Sequence, residues 1–266
     1  MKIETGYLSP KGAFVSAILF PQPVFTKGNE MEKHEIFLTR NEVIEAIEFD
    51  LIRYPVQKLL LRHLSFLILG ENSVLSEDSR KSGLWIIMPE SGKRRLVSFD
   101  MLGELLIKTI KKSSPDIEQL ARICGAVFQE KARAGPGKER AGEEAGIWIE
   151  TGLELFRCRQ CGGCCRFLDY HKELTVEDYE RFRSMGREDI LEWVRPIRQK
   201  KRIVSFLIWV DPATGQLHES CPWLKKDSEH NRYSCLIHEI RPRVCREYPG
   251  SRKHARMTGC PAFNKS

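Results

Sequence analysis

The sequence predicts an α+β chain: a mixed, largely helical N-terminal domain and a small, irregular cysteine-rich domain of short helices and hairpins. Three observations predict it. Helical apolar periodicity alternates with β-branched and aromatic runs up to residue 130. Residues 131–145, KARAGPGKERAGEEA, carry no apolar period and read as a flexible linker. Eight of the nine cysteines then fall in the last 109 residues, strung between short elements. The expected division is 1–130, 131–145 and 146–266.

In chain order, Ala13–Phe20 reads as buried strand or loop. A secretory leader is disfavoured, because Glu4 precedes the run and Pro21-Gln22-Pro23 follows it without a small-x-small cleavage site. Thr39 and Glu42 form a capping box. Behind it Ile44, Ile47, Leu51 and Ile52 mark one helical face, ended by Tyr54-Pro55. Val56–Leu69 reads as a second, largely buried helix. Leu84–Met88 has strand character, with a turn at Glu90-Ser91-Gly92-Lys93, and Val97–Ile110 reads as strand end followed by helix. The next helix is predicted with Ser114 as cap, Pro115 at its first position, and Asp116 and Glu118 complementing the dipole. Its apolar face is Ile117, Leu120, Ala121, Cys124, Val127 and Phe128, which makes Cys124 a core residue and not a ligand.

The second half has shorter elements. Ile147–Phe156 alternates like a strand around Thr151-Gly152. Thr175 begins a helix, with Leu174 and Tyr179 placed as a hydrophobic staple, and a short helix near Glu188–Val194 stops before Arg195-Pro196. Ile203–Val210 reads as a strand, Asp211–Gly215 as a turn and Gln216–Glu219 as the return strand. A helical stretch is expected near Glu239.

Composition sets the chemical context. A chain that is 41% hydrophobic and 30% charged reads as an ordinary soluble protein. Its longest apolar stretch, Leu59–Leu69, is interrupted by Arg62 and His63 and is too short to span a bilayer. The expectation is a cytoplasmic protein, where clustered thiols stay reduced and serve metal binding or catalysis more than disulfides. The net charge of +7 is unevenly placed. From Cys158 onward there are 21 Lys and Arg against 14 Asp and Glu, and the preceding residues balance. Either this basic excess contacts a polyanion, or it offsets metal-bound thiolates, which the formal count treats as neutral. The second reading is favoured, and nucleic acid is not expected as a partner.

The cysteines carry the chemistry. Cys158-x2-Cys161-x2-Cys164-Cys165 has the spacing of metal and iron–sulfur ligands, because a two-residue gap lets successive sulfurs converge on one centre. Gly162-Gly163 supplies backbone angles other residues avoid. The adjacent side chains of Cys164 and Cys165 are expected to diverge toward different centres or edges. Cys221, Cys235, Cys245 and Cys260 bring the set to eight, which suits two four-thiolate sites and equally suits one site plus structural or reactive thiols. His238 and His254 have ligand-like positions but read as surface histidines. Arg241, Arg243 and Arg246 around Cys245 suit either outer support of a centre or a solvated basic turn. A lone catalytic thiol is disfavoured, since a nucleophile calls for one cysteine beside a base.

The run Phe156-x-Cys158-x2-Cys161-Gly162-x-Cys164-Cys165, then Cys221-Pro222, then Cys235 to His238, Arg241-Pro242-x2-Cys245-Arg246-x-Tyr248-Pro249, resembles the YkgJ-type cysteine-cluster family, described as a zinc- or iron-chelating domain with a CxxCxxCC signature. The likeness covers about Phe156–Cys260, and His238 stands where the family more often has Tyr. It implies zinc or iron, with iron–sulfur as one form. Relatives include flagellin lysine N-methylases, so the resemblance leaves a protein-modifying enzyme open beside a chelating protein and a zinc-scaffolded interaction module. A protein substrate or a redox partner would fit these readings. No glycine-rich strand–turn–helix fingerprint for a nucleotide-like methyl donor is present.

Overall fold

The computed structural model describes residues 35–263 apart from 89, 138–144, 228–229 and 231. The Ala13–Phe20 segment lies outside the described residues. The chain is α+β, as its sequence predicts. It begins with β1 (Glu35–Thr39), α1 (Arg40–Arg53) and α2 (Lys58–Leu69), then β2 (Val74–Asp78), β3 (Gly83–Ile87) and β4 (Arg94–Ser98). Helices α3 (Phe99–Ser113) and α4 (Ile117–Phe128) follow, then β5 (Ala132–Pro136) and β6 (Ala145–Glu150). The cysteine-rich part contains α5 (Gly163–Phe167), α6 (Val176–Ser184), α7 (Glu188–Leu191), β7 (Arg195–Gln199), β8 (Arg202–Leu207), β9 (Leu224–Asp227), β10 (Arg232–Cys235), α8 (Arg243–Arg246) and α9 (Arg252–Met257). Among the described residues the strands form antiparallel sheets in the orders β1-β6-β5 and β2-β3-β4, and the hairpins β7-β8 and β9-β10. No helix of the described residues is long and apolar enough to cross a membrane.

Local chemistry starts the helices where it was expected to, with one correction. Thr39 and Glu42 make the reciprocal capping box of α1. At α4 the cap is Asp116, whose carboxylate accepts from the Gln119 N–H at 2.7 Å, and not Ser114. Ser114 is already used to end α3. It sits in the left-handed region (φ 45°) and its N–H donates to the Ile110 carbonyl. Arg40 then donates to the Pro115 carbonyl at 2.8 Å, tying the α3–α4 corner to α1.

Two clusters of buried apolar residues organise the molecule. The first joins α1–α4 to both three-stranded sheets, with Val43, Ile47, Leu64, Leu102, Leu106, Leu120 and Ile147 fully buried. The predicted face of α4, Cys124 included, lies inside it, with Ile117 packed at its edge. Ile52 does not follow its predicted face and is 67% exposed, because α1 turns Val43 and Ala46 inward instead.

The expected linker is corrected in part. Ala132–Pro136 is a strand paired with β6, and β6 is the central strand of that sheet, so Ile147 and Ile149 belong to the first core. Alanine and glycine present no apolar period, but their backbone groups pair like any others. Gly146 is needed there, since a Cβ would overlap Phe37 and the Leu38 carbonyl.

The second core packs Leu174, Phe182, Ile190, Phe206, Ile208, Trp209 and Trp223. Thr175 caps α6 as predicted, accepting from the Asp178 N–H. Strand β7 is not apparent from its sequence, because Pro196 and its arginines mask the alternation. The predicted return strand at Gln216–Glu219 is reduced to one bridge between Val210 and Leu217. The two cores meet at α9. Arg252 binds Glu130 through both guanidinium edges (2.8 and 2.6 Å), and Lys253 donates to Asp50 and to the Val127 carbonyl, each at 2.6 Å.

His171, buried against Trp209, gives the fold an acid sensitivity. Burial, aided by Lys172, holds its imidazole below the ordinary value of 6.5. Between that value and the lowered one the unfolded chain binds more proton, so stability present above pH 6.5 is lost as the pH falls. Equilibrium unfolding across this range is expected to show a shallower acid-side decline in His171→Phe than in the unaltered chain.

Candidate metal centre

The run Cys158–Cys165 crosses from loop into helix. The Gln160 N–H approaches the Cys158 Sγ, and the Gly163 N–H approaches the Cys161 Sγ, both at 3.4 Å. Gly162 turns the chain at φ 67°, where a Cβ would stand 2.8 Å from the Tyr233 ring, so no other residue fits this corner without displacement. The Tyr233 N–H donates to the Gln160 carbonyl at 2.8 Å, which docks β10 along the run. Arg166 lies over the Tyr233 ring and closes this side.

Later elements deliver their cysteines to the same place. The Cys221 N–H donates to the Cys165 carbonyl at 2.9 Å. Cys235 ends β10 opposite Leu224. Cys245 sits in α8, whose entry is fixed from a distance. The buried Asp178 carboxylate accepts the Arg243 N–H on both oxygens (3.0 and 2.9 Å) and pairs with Arg181 at 3.1 Å. Arg181 also donates to the Arg241 carbonyl at 2.7 Å, and Arg246 does the same. Cys164, Cys221, Cys235 and Cys245 all pack on the second core, together with Tyr170 and Tyr248.

The Cys164 and Cys165 sulfurs are 3.9 Å apart, which corrects the expectation that they diverge. Helix α5 turns both toward the later cysteines. That spacing matches the edge of a tetrahedral zinc–thiolate site, about 3.8 Å for Zn–S bonds of about 2.3 Å. Electrostatics mark the same group. The contact with Cys165, then burial, raises Cys164 far above the thiol range. Cys165 is lowered by its bond from Cys164, but Cys221, burial and the nearby Cys235 outweigh this and push it up to about 12. Burial raises Cys245 strongly, with Cys165, Cys164 and Cys235 adding to it, and burial also raises Cys235. Such thiols resist ionising beside one another unless a cation joins them, and that donor set fits zinc or iron.

Of the predicted ligands, Cys164 and Cys165 are in contact, Cys221 and Cys235 act on Cys165, and Cys221, Cys235 and Cys245 pack with Cys164 against the second core. Cys260 lies beside Tyr248, whose phenol is raised by burial, with Cys260 and Cys164 adding to it. Cys158 is exposed, and Cys161 bonds within its own loop. Among the described residues no three His, Cys, Asp or Glu side chains stand in closed ligating geometry. His238 is a surface residue paired with Glu239 at 3.1 Å. His254 is half-buried, its Nδ1 accepting the Gly250 N–H and its ring edge-on to Tyr248. The three arginines brace the Cys245 turn through carbonyls and carboxylates: Arg241 donates to the His238 carbonyl and Arg243 to Glu247.

These thiols lie in the part of the chain that is similar to a known family. Residues 157–261 match the family model described as "CxxCxxCC: Putative zinc- or iron-chelating domain". That segment, the C-terminal part of the chain, is similar to this family. The match begins after the last residue of the first core and takes in all eight of these cysteines. No curated protein and no solved structure matches the chain. Sequence reasoning missed Asp178 and Tyr170 as supports of the site. The Thr175-x-x-Asp178 cap was legible, but Asp178 also reaches a partner 65 residues away, which no local pattern carries.

Proposed function

We propose that the C-terminal part binds zinc or iron through thiolates drawn from Cys158, Cys161, Cys164, Cys165, Cys221, Cys235, Cys245 and Cys260. The observation that carries this reading is the contact between the Cys164 and Cys165 sulfurs, with Cys221, Cys235 and Cys245, from separate elements, packed with Cys164 against the same core. Bound metal would supply the cation they lack and contribute its binding energy to the folding of this half. Within the proposal, Cys164 and Cys165 serve one centre, and the basic excess from Cys158 onward offsets the thiolate charge. The octet suits two four-thiolate sites.

Anaerobic purification with metal and sulfide analysis tests the reading. Colourless protein with stoichiometric zinc selects closed zinc sites, and iron with acid-labile sulfide and visible absorbance selects a cluster. Cys245→Ala is expected to lower metal content, whereas Cys124→Ala, in the first core, retains it. Equal loss in both variants, or no stoichiometric metal in the unaltered chain, would show the proposal to be wrong.

A further inference from the structure

Tyr170 begins a 3₁₀ turn (Tyr170–Lys172) between α5 and α6 and is 8% exposed. Its ring packs in the second core with Cys164, Cys245 and Tyr248, edge-on to Tyr248 at 5.8 Å between centroids. Its hydroxyl is buried and has no hydrogen-bond partner among the described residues. The proton-bearing groups packed in the same cluster include Tyr248, Cys164 and Cys245. The Tyr248 hydroxyl is already engaged by Thr258 at 2.8 Å. A buried hydroxyl left unpaired is rare in native proteins and points to a partner that arrives with a ligand.

The sulfurs supply that partner. A neutral thiol is a weak acceptor, but a metal-bound thiolate carries charge and accepts well. We infer that the Tyr170 hydroxyl is a hydrogen-bond donor to a metal-bound thiolate, Cys164 or Cys245, and that it tunes the electron donation of that sulfur. This rests on the metal-binding reading above. It makes Tyr170 a positioning residue, acting on the metal through a ligand, as outer partners of metal sites do.

The test uses the full chain loaded with cobalt(II), whose sulfur-to-metal charge-transfer band reports thiolate donation. Tyr170→Phe is expected to bind the same equivalents of cobalt, about 10-fold more weakly, with the band moved to lower energy. Tyr179→Phe, whose ring stacks on Phe206 at 4.3 Å in the same core, is expected to match the unaltered protein. An unmoved band in Tyr170→Phe, or an equal shift in Tyr179→Phe, overturns the inference while metal binding stands. Failure of the unaltered chain to take up cobalt overturns both readings. If Tyr170→Phe does not fold, a ring-fluorinated tyrosine carried at position 170 is followed by fluorine NMR. Zinc addition is expected to move its resonance, and an unmoved resonance overturns the inference.

Discussion

Asp178→Ala is expected to lower the stability of the cysteine-rich half by about 3 kcal/mol, the scale for removing one partner of a buried, hydrogen-bonded charge. The carboxylate is 1% exposed and serves three masters at once: the Arg243 N–H at the start of α8, the Arg181 guanidinium, and the Thr175 hydroxyl that caps α6. Its loss frees the backbone turn that presents Cys245 and leaves Arg181 half-buried beside carbonyls alone. Chemical denaturation checks the stability, with tryptophan fluorescence reporting on Trp209 and Trp223 of the second core. Metal retention should fall with it. Asp178→Asn, which keeps an oxygen for the Arg243 N–H but not the charge, is expected to lose less. Equal metal retention and stability in Asp178→Ala and the unaltered chain would remove Asp178 from the support of Cys245.

Lys253→Met carries the second large effect, again about 3 kcal/mol. Lys253 and Asp50 are each 2% exposed and meet at 2.6 Å between the two cores. Burial pushes the Asp50 carboxyl up and the Lys253 ammonium down, and each partner's charge pulls the other back. Without the lysine, Asp50 faces the full cost of its burial. The sign follows: a carboxyl raised above its unfolded value withdraws stability as the pH rises through the raised value, so the deficit should grow from acid toward neutral pH. Replacing both residues, Asp50→Leu with Lys253→Met, is expected to recover most of the loss, because two apolar groups leave nothing unpaired. Thermal unfolding of the single and double variants across pH checks both statements. α9 precedes Cys260 directly, and loosening it should also disturb the Tyr248–Thr258 contact beside that cysteine.

Elements governed by neighbours in sequence were legible in advance. The Thr39–Glu42 box, the apolar face of α4 with Cys124 inside it, and the Thr175 cap depend on side chains three or four residues apart. Failures occurred where backbone pairing or a distant partner decides. Ala132–Pro136 becomes a strand because β6 lies beside it, although its own side chains show no pattern. Ser114 gave up its cap to Asp116 because the preceding helix had to end there. Cys164 and Cys165 were expected to part, and the short helix α5 instead leads both toward Cys221, Cys235 and Cys245.

By itself the sequence set out the candidates: eight clustered thiols, their spacing, their charge background, and the placing of Cys124 in a helix's apolar face. Covalent order sets these, and folding does not alter them. Only the tertiary structure decided which thiols become neighbours, and that Asp178 and Tyr170 stand behind them. Such partners meet through packing of chain segments far apart in sequence, and burial makes their hydrogen bonds and charges count.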